Sequence, residues 1–187
     1  MSRFTIAALA LAASLPSAVL AAPAYDADGR LRFPNDYRTW IYLSTGLGMS
    51  YNAVAMGGEV FDNVFVDPVS YKAFLETGTW PDGTELVLEV REAQQKGSIN
   101  KSGHFQGAAV HREVHLKDST RFKSGWAFFP FSDETPAKMI ATTADCYSCH
   151  QAHGAVDTTF VQFYPTLLPI AQEKKTLSAS YLADEAK

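Results

Sequence analysis

Apolar and polar positions alternate through the middle of the chain with two different periods. Phe61 to Asp67 (Phe-Asp-Asn-Val-Phe-Val-Asp) has the composition of a strand. Glu85 to Val90 alternates, Phe105 to Leu116 reads as a longer strand, and Trp126 to Phe131 as another. Helical signals lie between and after them. Pro34-Asn35-Asp36 is a start signal, followed by Tyr37, Trp40 and Ile41 at one-face helical spacing. Asp67-Pro68 joins an N-cap to proline at the first helical position, Tyr71, Phe74 and Leu75 supply an apolar stripe, and Gly78 supplies the stop. Pro81-Asp82-Gly83 is a turn, and the polar stretch Ala93 to His104 is a loop. The pattern turns helical from Thr143. Asp157 is expected to cap a further helix built on Phe160, Phe163, Tyr164 and Leu167 and kinked at Pro165, and the tail from Lys174 is expected to fray. The sum is an α+β protein: a mostly antiparallel β-sheet with packed helices.

Composition narrows the class. Of 187 residues, 47% are hydrophobic and 19% charged, an ordinary globular balance. Sixteen Lys+Arg against 20 Asp+Glu argue against nucleic acid, which demands clustered positive charge. The N-terminus changes the picture more. Met1-Ser2-Arg3 is a short positive region, Phe4 to Leu15 an apolar run, and Val19-Leu20-Ala21 places small residues before a cleavage point. Residues 1–21 therefore read as a signal peptide cleaved near Ala21, leaving 22–187 as a single exported domain, expected in a periplasm. The run falls short of the ~20 apolar residues of a membrane span, and none follows later.

Both cysteines fall in one pentapeptide, Cys146-Tyr147-Ser148-Cys149-His150. C-x-x-C-H is the attachment signature of haem c. Two thiols at this spacing reach the two vinyl groups on one porphyrin edge, and the adjacent histidine gives its imidazole to the iron. A disulfide loop would not need the histidine. A structural zinc site would need a second ligand pair, and a thioredoxin-like motif would sit after an early strand. Cys146, Cys149 and His150 are thus expected to hold one haem c on a C-terminal helix. An electron carrier usually fills the iron's other face with Met or His. No Met follows His150, and His153 lies on the same side of the helix. Met49, Met56, Met139, His104, His111 and His115 remain, none with a signature, so an open or weakly occupied distal site is expected. His111 and His115 are expected to mark a partly solvated strand face.

The chain resembles the β-rich cytochrome P-460 family, which includes cytochrome c′-beta. The resemblance runs from Phe33-Pro34-Asn35-Asp36-Tyr37-Arg38-Thr39-Trp40 through Asn63 to Pro68, Thr77-Gly78 and Trp80-Pro81-Asp82-Gly83-Thr84. It continues with Phe105-Gln106-Gly107, Lys117-Asp118, Arg121-Phe122 and Trp126-Ala127-Phe128, and ends on the haem motif and Phe163-Tyr164-Pro165. It implies an antiparallel β fold, a homodimer, one haem c and a five-coordinate iron. The family's enzymes oxidise hydroxylamine, and nitric oxide with it, and carry a lysine cross-linked to the porphyrin and a distal carboxylate. Relatives without the cross-link bind nitric oxide and carbon monoxide. Carried over, the lysine position falls on Leu88 and the carboxylate on or near Glu113, while Lys96 and Lys101 sit in the loop. The function expected is a cytochrome that binds a small ligand such as nitric oxide or passes electrons to a soluble redox protein. Hydroxylamine oxidation with Glu113 as proton acceptor is the alternative. A peroxidase would want a distal arginine, and Arg112 should point to the other strand face.

Overall fold

The computed structural model describes residues 22–49 and 59–187. The signal segment 1–21 and Met56 lie outside the described residues. Among the described residues five strands form one sheet in the order β1-β2-β3-β4-β5, every pair antiparallel. They are β1 (Ile41–Leu47), β2 (Val60–Val66), β3 (Glu85–Gln94), β4 (Phe105–Lys117) and β5 (Trp126–Phe131). Among the described residues there are four helices: α1 (Pro68–Thr77), between β2 and β3, and α2 (Asp145–His153), α3 (Leu168–Lys174) and α4 (Ala179–Glu185), after β5. The fold is α+β. The motif residues lie in α2, and α3 and α4 follow it. Among the described residues no helix is long and apolar enough to cross a membrane.

Helix α1 follows its sequence signals closely. The Asp67 carboxylate accepts the Ser70 N–H at 2.8 Å, Pro68 opens the helix, and Gly78 closes it at φ 74°. A Cβ at Gly78 would also stand 2.7 Å from the Lys174 side chain, so the glycine lets α1 end against α3. Phe74 is fully buried with its ring centroid 4.3 Å from that of Trp80. Its burial contributes about 1.5–3 kcal/mol and fastens α1 to the helical layer.

The strands carry a clean two-sided pattern. On one side Val66, Leu86 and Trp126 join Phe74, Val161, Tyr164 and Leu167 in a core beneath the helices. On the other, Val87, Val114, Phe129 and Phe131 pack under Leu31, Phe33 and Tyr37 of the N-terminal segment. Glu89 is buried there, accepting a hydrogen bond from Tyr37 and ion pairs from Arg38 and Arg91. Burial and the Glu89 carboxylate push the Tyr37 hydroxyl up to about 12.

Four expectations are corrected. The helix expected at Tyr37 is one 3-10 turn, Tyr37–Thr39, after which Trp40 is extended and Ile41 opens β1. A register shift between Tyr42 and Ser44 breaks the alternation that would have revealed this strand. Strand β3 runs on to Gln94, so the loop begins later. Asp157 caps no helix. It sits at φ 54° and pairs with Lys117 Nζ at 2.9 Å; a 3-10 turn, Val161–Phe163, is followed by an extended Tyr164, as Pro165 requires of the residue before it, and α3 begins at Leu168. The tail forms α4, with the Ser178 hydroxyl accepting the Tyr181 N–H. It rests on α2 through His153 Nδ1 and Asp184 at 2.7 Å.

Candidate functional site

A cleft of about 1120 Å³ opens between α2 and the helix-covered face of the sheet. It exceeds the ~300–1,000 Å³ usual for small-molecule sites. Period-two alternation puts β2 and β4 side chains two residues apart onto this wall in rows. Val66, Leu86, His115 and Phe128 are cross-strand neighbours in the row nearest α2's histidine. Val64, Leu88 and Glu113 form the next row, and Asp62, Val90 and His111 the third. The outer rows stand about 13 Å apart at ~3.3 Å per residue.

Cys146 and Cys149 are not joined in a disulfide, and both line the cleft from α2. Burial pushes the Cys149 thiol up, and the Cys146 thiol beside it adds to this. Helix α2 buries no residue completely. After it the chain turns at Gly154 and returns, so that the Thr158 carbonyl lies 2.7 Å from His150 Nδ1. A carbonyl can only accept, so Nδ1 carries the proton and Nε2 keeps the lone pair. Burial lowers the His150 pKa, favouring the neutral ring. Phe128 and Phe160 flank it at 4.6 and 4.2 Å.

His115 is not on a solvated face. It is 8% exposed, stacked on Phe128 at 4.0 Å, 4.4 Å from Trp126 and edge-on to His150 at 5.1 Å. Desolvation holds its pKa well below the usual imidazole range. His111 keeps the expected exposure, with 43% of its side chain accessible and Nε2 3.5 Å from the Glu113 carboxylate. Asp62 joins them. Burial raises its carboxyl pKa, with His111 opposing and Glu113 reinforcing the shift. Sequence reasoning missed Asp62, although its alternation with Val64 and Val66 puts it on their face.

Leu88 lines the cleft beside its cross-strand partner Glu113. No lysine stands among the described residues that line it. Met49 and His111 line it as well, whereas His104 pairs with Glu59 at 3.0 Å and Met139 lies outside. Arg112 stacks on Phe33 on the opposite face, as its strand parity requires.

Gly154 sets the return of the chain. A Cβ there would lie 2.7 Å from the His150 carbonyl oxygen and 2.9 Å from the Thr158 carbonyl carbon. Gly154→Ala is expected to push Thr158 off His150 and to cost about 1–3 kcal/mol. Chemical denaturation measures the loss, and unchanged stability would contradict the close approach.

A sheet wall facing two thiols on one helical turn and a neutral imidazole with its outer nitrogen deprotonated is the donor set that a covalently held haem requires. Among the described residues no group of three or more His, Cys, Asp or Glu is placed to hold a bare metal ion. The family model for cytochrome P460 matches residues 34–161, and the chain belongs to the cytochrome P460 family. Membership makes it a haem cytochrome. Comparison with curated proteins finds no match.

Proposed function

We propose that residues 22–187 form a periplasmic monohaem c-type cytochrome with an open distal site, which binds a small ligand such as nitric oxide and exchanges electrons with a soluble redox protein. Cys146 and Cys149 would hold the haem as thioethers, and His150 Nε2 would take the iron. A bound haem supplies an iron that accepts a diatomic ligand or one electron. The protein's part is orientation and exclusion. The Thr158 carbonyl fixes the imidazole ring, and Phe128 and Phe160 keep water from it. Val64, Leu88 and Val90 give the ligand an alkyl wall. The observation that carries this reading is Leu88: an alkyl side chain faces the cleft, at the position onto which the family resemblance carries the enzymes' cross-linking lysine. A homodimer is part of the proposal, by family resemblance.

The optical spectrum tests it. The ferric protein is expected to be high-spin, and the ferrous protein to bind carbon monoxide and nitric oxide with ordinary c-type bands. Proteolysis should release a haem peptide bearing only the Cys146–His150 segment. A low-spin spectrum indifferent to carbon monoxide would overturn the open site. A second peptide on the haem, bearing Lys96 or Lys101, would overturn the uncrosslinked assignment.

One observation favours the enzyme reading. Asp62, His111 and Glu113 gather proton-accepting groups on the cleft wall, which hydroxylamine oxidation would use as it releases protons. If this reading holds, the protein turns hydroxylamine over and Glu113→Gln slows it at least tenfold.

A further inference from the structure

We infer that His115 is a positioning residue for the iron-binding imidazole, acting through Thr158. The inference rests on His150 taking the iron. Its observation is that Thr158 touches both rings. The Thr158 carbonyl accepts from His150 Nδ1 at 2.7 Å, and its hydroxyl lies 3.5 Å from His115 Nε2.

His115 has the properties of an anchor. It stands in a row otherwise made of Val66, Leu86 and Phe128, where a hydrocarbon would bury at no polar cost. Stacking on Phe128 and packing against Trp126 hold the plane of its ring. The segment it meets is already tied on both sides. Asp157 pairs with Lys117 of β4, and the Thr159 hydroxyl accepts the Trp80 indole N–H at 2.9 Å. The His115 contact is a third tie, nearest the imidazole that Thr158 orients.

The consequence is electronic as well as steric. A hydrogen bond from Nδ1 to a fixed carbonyl makes an imidazole that binds iron through Nε2 a stronger donor, and such bonds tune the metal. Loosening Thr158 weakens that bond and disfavours the ferric state.

The test uses the haem-loaded protein and two readouts, the midpoint potential and the iron–imidazole stretch of the ferrous form in resonance Raman spectra. Thr158→Val removes the hydroxyl and keeps the carbonyl. It is expected to raise the potential and lower the stretching frequency. Thr158→Ser is expected to keep the native values. His115→Phe should shift both readouts as Thr158→Val does, and the double variant should add nothing. If His115→Phe does not fold, the Thr158 pair decides alone. Native values in Thr158→Val overturn the inference, as does a His115→Phe shift that Thr158→Val does not share. Haem content and the iron–imidazole stretch are measured first: an unaltered protein with no haem refutes the haem reading, a loaded one without that stretch refutes the role of His150, and one that has both but ignores Thr158→Val refutes only His115.

Discussion

Replacing Cys146 and Cys149 together by serine is expected to take covalent haem from one per chain to none. Both side chains face the cleft from one turn of α2. A serine hydroxyl at ordinary pH has no anion comparable to the thiolate that forms the bond. Either single substitution should leave one thioether and a strained, partly loaded product. His150→Ala should keep attachment and lose the ligand, giving a misligated iron. Denaturing mass spectrometry after expression with haem-attachment machinery reads every case. Covalent haem on the double serine variant, or an unaltered chain with a Cys146–Cys149 disulfide and no haem, would sink the assignment.

The second large effect lies on the opposite face of the sheet. Burial pushes the Glu85 carboxyl up to about 7, with Asp67 and Asp36 adding repulsion. Glu85 lines a smaller cavity with Asp36, Asp67 and Trp40. A group whose pKa is raised in the folded protein keeps its proton longer than the same group in the unfolded chain. Below the ordinary carboxylate pKa both states are protonated, and Glu85 has no effect. As pH rises from there through 7 the unfolded state gains from ionising first, and folding stability falls. Above pH 8 the loss from this one group is about 3 kcal/mol. Glu85→Gln should remove that fall and stabilise the protein by a similar amount at pH 8, with little change at pH 4. Urea unfolding of the two proteins across this range isolates the effect. Parallel curves would place Glu85 in contact with water.

What was legible in the sequence follows from how local its cause is. The haem motif is five adjacent residues, and α1 is written in Asp67, Pro68 and Gly78, each acting on its own turn. Strand alternation in β3 and β4 correctly sent Arg112 and Glu113 to opposite faces. The harder features depend on distant partners. Strand β1 hides behind its bulge at Leu43. His115 reads as a surface histidine until Phe128 and Trp126 arrive from β5 and His150 from α2. Asp62 cannot be told from any strand aspartate without knowing that its face lines a cleft. The residues after α2 read as an amphipathic helix because Phe160 and Tyr164 are apolar. Both line the cleft, and Asp157 spends its carboxylate on Lys117.

Among the described residues each strand of the sheet pairs with its neighbours along the chain, with α1 inserted between β2 and β3. Such pairings are local in sequence and form faster than pairings between distant strands. Helix α2, by contrast, inserts no fully buried side chain and docks through the rings of Tyr147 and His150 on Phe128. The order of assembly that follows is wall first and motif helix last. On the proposed reading, the thiols of Cys146 and Cys149 would in that interval remain within reach of whatever attaches the haem, and attachment would then fasten the helix to a wall already formed.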